Sequence, residues 1–198
     1  GAIHTTTPRG IPRPRRHDIV THHAQLPPED VCIVDGLRCT SIPRTYVDMA
    51  SLLSLPRLVA LGDVALQRPG VTVETLLAVA QARCSYRGRR LAVSAVAWLD
   101  PAAASPRESQ LRVLLRKARL PRPEVNGLIT DEWGGFLAVG DLVWRRFLVI
   151  AEYDGEVHAS MAQRAKDASR RALLREHGWI VVEIVGEDGG HLTARPAP

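Results

Sequence analysis

The sequence predicts an α/β protein of the α+β type, in which a mixed sheet flanked by helices follows a β-hairpin and a helical region. Apolar strand patterns cluster between residues 124 and 155. An amphipathic helix at about 159–177 separates them from a closing strand at about 179–185. Because a helix crossover lets the last strand lie parallel to a neighbour, the second half is expected to hold a mixed sheet with the element order αβββαβ.

A short Pro/Ala connector at residues 100–105 predicts two domains, residues 1–100 and 101–198. The first half holds 12 basic and 8 acidic side chains, and the second half holds 14 and 13. Most of the net charge of +5 therefore lies in the first half. A charge of this size permits a nucleic-acid partner but is common among proteins.

The chain opens with a basic arm in which prolines at positions 8, 12 and 14 exclude a helix interior. We expect either an unspecific basic surface or an arm that contacts DNA phosphates through Arg13, Arg15 and Arg16, with salt-dependent binding. Three histidines lie nearby, and surface roles are expected for them because no helix or strand is predicted to hold them for a metal. They are His17, His22 and His23.

Residues 31–40 are typical of a β-hairpin, since Asp35-Gly36 favours a tight turn between two apolar runs. Ser41 can then cap a helix that has Pro43 in its first turn. Leucines and valines recur at helical spacing further on, which predicts a helical bundle without catalytic spacing among its polar residues. The predicted helices cover about 56–68, 72–84 and 87–99.

The second half begins with a helix that runs from Ser105 to about Arg119. The sequence Ser105-Pro-Arg-Glu108 is a capping box, in which the acid bonds back to the cap residue. Glu108 could serve this purpose alone or also face a metal. A proline breaker then leads to a strand at about 124–130 and a turn at 131–135.

Two neighbouring strands, at 136–144 and 147–155, carry carboxylates among aliphatic residues. Alternation places Asp141 on the face of Leu137, Val139 and Val143, and it places Glu152 and Asp154 together on one face of the second strand. A carboxylate on an apolar face is costly unless a partner compensates its charge. The sequence therefore predicts a partner for these acids.

The repulsion between these carboxylates is large enough that each charge needs a compensating partner. Two like charges at roughly 4 Å repel by about 4 kcal/mol at an effective dielectric near 20. A divalent cation, a shared proton or an arginine must offset this energy, and Arg145 or Arg146 could pair with Asp141. Oxygen ligands without cysteine favour Mg²⁺ or Mn²⁺ over zinc, and such a cation supports metal-assisted hydrolysis.

Composition excludes several classes of protein. The chain has 198 residues, of which 45% are hydrophobic, and no apolar run is long enough to span a membrane. Its cysteines, Cys32, Cys39 and Cys84, lack metal-ligand spacing, so we expect reduced thiols in a cytoplasmic protein without a membrane partner. The start at Gly1, without methionine or a secretory signal, is typical of a fragment from which upstream residues are missing.

Five motifs in the second half together resemble the very-short-patch-repair-endonuclease-like domain of the PD-(D/E)xK nuclease superfamily. The resemblance covers about residues 104–186. The motifs are Ser105-Pro-Arg-Glu108, Gly140-Asp-Leu-Val-Trp144, Ala151-Glu-Tyr-Asp-Gly-Glu-Val-His158, Arg164-Ala-Lys-Asp-Ala-Ser-Arg170 and His177-Gly-Trp179.

The resemblance implies a restriction-endonuclease-like core that hydrolyses DNA phosphodiester bonds with Mg²⁺ or Mn²⁺. Asp141 and Glu152 would bind the metal, and Glu108 would complete the site from its helix. Asp154 stands where the superfamily usually has lysine. In this branch Asp154 and His158 are thought to share metal and proton-transfer roles, which leaves the general base unassigned.

The following helix contributes supporting residues to the same resemblance. Asp167 and Arg170 match the Asp-x-x-Arg pattern of the family, and Arg164 is a candidate phosphate contact. Ordinary intrahelical ion pairs, worth about 0.2–0.5 kcal/mol each, are the alternative account. Lys166 could supply the missing amine from this helix.

The first half resembles the middle region of AbiEi-type antitoxins in Leu37-Arg-Cys-Thr-Ser-Ile-Pro-Arg-Thr-Tyr-Val-Asp-Met-Ala50. Those proteins usually begin with a DNA-binding winged helix, which is not recognisable in this sequence. The resemblance implies a DNA-binding regulator whose nuclease fold is catalytically degenerate, with a cognate toxin or a second copy of the chain as partner. A protein-binding module is a third hypothesis, which an absence of DNA binding would favour.

Overall fold

The computed structural model describes residues 2–8, 10–12, 16–82, 86–154, 161–186 and 192–196. Helices and mixed strands make up an α+β fold, as predicted. The strands are β1 Ile3–Thr7, β2 Ile19–His23, β3 Val31–Val34, β4 Leu37–Thr40, β5 Glu124–Thr130, β6 Phe136–Trp144, β7 Val149–Asp154, β8 Ile180–Gly186 and β9 Leu192–Pro196. The α-helices are α1 Ile42–Met49, α2 Leu55–Leu66, α3 Val73–Ala82, α4 Arg89–Ala95, α5 Pro106–Lys117 and α6 Met161–Glu176.

The first strands, β1 and β2, pair in parallel, with Ile3 opposite Ile19 and Thr7 opposite His23. Both strands are rich in β-branched residues, which favour extended backbone. The expectation that no strand holds the histidines is wrong for His22 and His23, since both belong to β2. His22 Nε2 lies 2.9 Å from Nδ1 of His4 on the neighbouring strand.

The hairpin of β3 and β4 is confirmed. Its turn residues Asp35 and Gly36 have φ angles of +51° and +78°, the left-handed values that a two-residue type I′ turn requires. Arg44 of α1 is buried and pairs with Asp30 and Asp48, each at 2.8 Å. The pair with Asp30 ties the segment before the hairpin to the first helix, whereas the pair with Asp48 lies within that helix.

The four helices α1 to α4 enclose an apolar core that includes Tyr46, Leu58 and Leu76. Their positions match the predicted helical patterns. Ser41 stands at the N-cap of α1, but its side chain makes no capping hydrogen bond with any described residue. None of the helices among the described residues is long and apolar enough to cross a membrane.

Helix α5 joins the helical core to the sheet. Its Val113 is buried in the same cluster as α1 to α4, whereas its Leu111 packs beside Leu142 of the sheet. Arg112 of α5 lies 2.6 Å from Asp63 of α2, and both side chains are almost fully buried. This ion pair spans the connector at which the sequence predicts a domain boundary.

The larger sheet has the strand order β5-β6-β7-β8-β9. β7 and β8 are parallel and are connected through α6, whereas the other neighbours are antiparallel, so the predicted mixed sheet and crossover are confirmed. Leu174 of α6 packs with Ile150 and Val181 on one face. Leu111 of α5 packs with Ala151 on the other.

The connection between β6 and β7 differs from the prediction. Arg145–Phe147 forms a 3-10 turn, and Leu148 follows with a left-handed φ of +50°. The strand therefore begins at Val149, two residues later than predicted, and Leu148 does not share a strand face with Glu152. The predicted closing strand is β8, and the strand that follows it, β9, was not predicted from the sequence.

Candidate active site

The acids predicted from the sequence lie where β6 and β7 stop pairing. The last paired residues are Leu142 and Ala151, and the next residues outward are Asp141 and Glu152. Asp141 Oδ2 accepts a hydrogen bond from the backbone N–H of Tyr153 at 2.8 Å. The Asp141 carboxylate therefore takes the place of a backbone partner at the point where the two strands separate.

Asp141 also lies at an irregularity of β6. Asn126, which lies opposite on β5, has a φ of +50°. A Cβ placed on Gly140 would approach Val143 Cγ2 at 2.9 Å and Ile150 Cγ2 at 2.7 Å. Gly140 and Val143 therefore face the same side of the sheet, although strict alternation would put residues three apart on opposite sides. The prediction that Asp141 shares one face with Leu137, Val139 and Val143 is therefore wrong.

Glu108 reaches the site region from the first turn of α5. Ser105 Oγ accepts the Glu108 N–H at 3.2 Å, which confirms the predicted N-cap. In a capping box the carboxylate would accept the backbone N–H of the cap residue, Ser105. Glu108 Oε2 instead accepts the N–H of the preceding residue, Ala104, at 3.0 Å. The same oxygen accepts Asn126 Nδ2 at 3.3 Å.

Two arginines of α6 neutralise acids on the sheet. Arg170 forms a bidentate ion pair with Glu152, with distances of 2.6 and 2.7 Å, and this pair raises the pKa of Arg170. Arg171 lies 2.6 Å from Glu183 on β8. Glu152 and Glu183 are therefore compensated within the protein.

Asp141 has no comparable partner among the described residues. Burial raises the pKa of its carboxyl from the ordinary value of 3.8 to about 6, and the charges of Glu108 and Glu152 contribute to the increase. The Tyr153 N–H and the charge of Arg170 oppose it. Arg145, one predicted alternative partner for Asp141, instead pairs with Glu124 at 2.8 Å. The site therefore carries negative charge that its own cation offsets only in part.

The described side chains offer at most two carboxylates, Asp141 and Glu152, to a metal ion. Among the described side chains, no group of three or more His, Cys, Asp or Glu residues could hold a metal ion. Magnesium, however, commonly takes one or two protein carboxylates and completes its shell with water and substrate phosphate. Asp141 and Glu152 would supply these two carboxylates only if Glu152 exchanged Arg170 for the metal, because Arg170 binds both of its oxygens.

Several predicted residues lie outside what the structure describes. They are the side chains of Asp154 and Arg164, and the whole of His158, Arg13 and Arg15. Arg16 is exposed and lies 3.4 Å from Asp18. Asp167 is near enough to Arg170 to raise the pKa of its guanidinium.

Two residues near the acids were not identified from the sequence. Asn126 was missed because its role depends on a left-handed backbone and on the approach of Glu108, neither of which has a sequence signal. Arg107 is exposed, and its guanidinium lies 5.7 Å from the ring centroid of Tyr153. Its position directly before Glu108 could have drawn attention to it as a phosphate contact beside the acids.

The fold and these side chains define an α+β protein with a cluster of acids around Asp141 in its mixed sheet. Two uncharacterised proteins of Mycobacterium tuberculosis, from the strains CDC 1551 / Oshkosh and ATCC 25618 / H37Rv, are each 34% identical to the chain over 172 residues. The alignment covers 83% of this chain and 62% of each relative, so the chain spans less than two thirds of their length. No family model and no solved structure matches the sequence.

Proposed function

We propose that this chain is a metal-dependent DNA endonuclease in which Asp141 and Glu152 hold Mg²⁺ or Mn²⁺. The observation that carries the proposal is the placement of Asp141 and Glu152 next to each other where β6 and β7 stop pairing, with Glu108 close enough for its charge to raise the pKa of Asp141. Acids concentrated in this way bind a cation favourably, because the cation removes their mutual repulsion. The ordered motifs of the nuclease-like resemblance support the same chemistry.

The residues around Asp141 and Glu152 have separate roles in the proposed reaction. The Tyr153 N–H orients Asp141, and Arg170 holds Glu152 in place until the metal site is occupied. Arg107, exposed over the Tyr153 ring, is suited to contact a DNA phosphate. A bound divalent cation would polarise the phosphodiester and lower the pKa of a coordinated water. The roles of Asp154 and His158 in proton transfer stay predictions.

A plasmid-nicking assay with Mg²⁺ or Mn²⁺ tests this proposal. Asp141→Asn and Glu152→Gln should each reduce the cleavage rate by on the order of 100-fold or more, since each removes a metal-binding charge. Glu132→Gln is the matched control, because Glu132 is an exposed acid in the turn between β5 and β6. Equal nicking by all four proteins would show contamination and would overturn the proposal.

A second candidate function is a cytoplasmic DNA-binding regulator of the antitoxin type, with a catalytically degenerate nuclease fold. The bidentate pair of Glu152 with Arg170 and the hydrogen bonds of Glu108 favour it, because these acids are satisfied without a metal. A cognate toxin or a second copy of the chain would be its partner. This candidate predicts salt-dependent DNA binding that persists in Asp141→Asn, with no metal-dependent cleavage by the wild-type protein.

A further inference from the structure

An arginine-lined cavity lies in the helical region. It is open to solvent and has a volume of about 560 Å³. Its described lining includes three arginines and no acid. The arginines are Arg87, Arg89 and Arg90, and none of the three forms an ion pair with a described carboxylate.

The backbone beside the cavity is packed tightly. Gly88 has a φ of +90°, and a Cβ at this position would lie 2.6 Å from Ala50 C and from Ser51 N. Only glycine permits this conformation together with so close an approach. The contact fixes the turn against the end of α1, and it thereby places Arg87 and Arg89 on either side of the glycine at the cavity.

The side chain of Arg89 is partly buried at the cavity. Its Nε is buried and has no hydrogen-bond partner within the part of the chain that the structure describes. An unsatisfied buried donor costs about 1–3 kcal/mol. No described acid compensates this arrangement, so the protein maintains a concentrated positive charge at some cost in stability.

The end of α1 does not account for three arginines. The carboxyl end of a helix carries a partial charge of roughly −0.5, which a single cation offsets. Asp48, the acid in the last turn of α1, is already paired with Arg44 at 2.8 Å. The remaining positive charge therefore favours an anion from outside the chain.

We propose that this cavity binds a phosphate group, either of a free phosphate compound or of a nucleic-acid backbone. Guanidinium groups bind phosphate oxygens through paired N–H donors, and an apolar ligand would gain nothing from them. The cavity is separate from the acidic site, since none of its lining residues belongs to that site. The assignment does not depend on cleavage activity.

Calorimetric titration of the full chain with inorganic phosphate and pyrophosphate tests the proposal. Arg87→Gln and Arg90→Gln should each weaken binding by about tenfold, because each removes one charge-assisted contact from an exposed position. Arg57→Gln is the control, since it removes the same charge from an exposed position on α2 and should change the affinity by less than about twofold.

Oligonucleotides distinguish the two sources of the phosphate. Tight binding of an oligonucleotide that Arg87→Gln and Arg90→Gln weaken would assign the cavity to the DNA backbone, whereas an effect confined to phosphate and pyrophosphate would assign it to a free compound. No binding by the wild-type protein, or equal losses in Arg57→Gln, would overturn the proposal. Asp141→Asn should leave phosphate binding unchanged, so failure of the cavity and failure of the nuclease proposal are distinguishable.

Discussion

At the scale of single residues, Asp141 combines a half-buried carboxylate with an incomplete set of partners. Its Oδ2 accepts the Tyr153 N–H, whereas Arg170, whose charge lowers the pKa of Asp141, is bound to Glu152. A carboxylate in this position favours protonation when no metal is present. The charge of Asp141 therefore opposes folding at neutral pH.

This cost predicts a dependence of stability on pH. The pKa of Asp141 is raised in the folded protein, so its contribution to stability is fully present below pH 3.8 and is lost as pH rises through about 6. In EDTA, Asp141→Asn should therefore gain stability relative to the wild type between about pH 4 and pH 7. The gain in the free energy of unfolding is at most about 3 kcal/mol, the energy that corresponds to this rise in the pKa of Asp141. Urea denaturation of both proteins across this range measures the difference.

The control for this measurement is Glu132→Gln, whose stability difference from wild type should not vary with pH by more than about 0.5 kcal/mol. Addition of Mg²⁺ at pH 7 should reverse part of the advantage of Asp141→Asn, because the metal compensates the wild-type carboxylate. A constant difference between wild type and Asp141→Asn from pH 4 to pH 7 would contradict the raised pKa.

The residues of the site were predictable in part. Asp141, Glu152 and Arg170 could be selected because they stand in an ordered motif and break an apolar pattern. Asn126 could not, since its hydrogen bond to Glu108 joins β5 to α5 across 18 positions of the chain. Nor could sequence show that Arg170 would occupy both oxygens of Glu152, because ion-pair geometry depends on how α6 packs on the sheet.

At the scale of elements, the β3–β4 hairpin places two cysteines directly opposite each other. Cys32 pairs with Cys39 in the strand register, and both are free thiols. Opposite residues in an antiparallel pair have Cβ atoms about 4.5–5.5 Å apart, whereas a disulfide requires roughly 3.5–4.5 Å. A small distortion of the hairpin would therefore allow a bond.

We expect Cys32 and Cys39 to form a disulfide when the protein is treated with oxidised glutathione. Two thiols lose their hydrogen atoms and form one S–S bond, while the glutathione disulfide is reduced to two thiols. Mass spectrometry of the Cys84→Ser protein after oxidation should then show the loss of two hydrogen atoms and no added glutathione. Cys39→Ser is the control, and it should show a mixed disulfide with glutathione in place of the internal bond. Persistence of both thiols in excess oxidant would contradict the prediction.

Elements with a clear hydrophobic period were predicted well, and short or irregular ones were not. Helices α5 and α6 and strand β8 lie within two residues of their predicted ends, because their apolar spacing and flanking caps agree. β1, β2 and β9 were missed, since five-residue strands acquire their structure from the strand beside them. The start of β7 was shifted by the left-handed Leu148, a conformation that leucine rarely adopts.

At the scale of the whole molecule, α5 connects the helical core to the sheet. The sequence predicts a boundary at about residue 100, but Val113 of α5 is buried among α1 to α4. Arg112 also donates to Trp98 O at 2.5 Å, on the other side of the connector. These contacts join residues that are far apart in the sequence. The composition of the connector therefore does not show whether the two halves unfold independently.

The ion pair between Asp63 and Arg112 tests whether the two halves unfold together. Asp63→Asn leaves the buried Arg112 without its acid and should destabilise the protein by about 3–5 kcal/mol, the usual cost of removing one partner of a buried pair. If α5 couples the halves, hydrogen exchange should show equal losses of protection in α2 and in β6 to β8. Asp18→Asn, which removes an exposed pair with Arg16, should change neither by more than about 0.5 kcal/mol. Loss of protection in α2 alone, with β6 to β8 unchanged, would show that the predicted division at residue 100 separates two independent units.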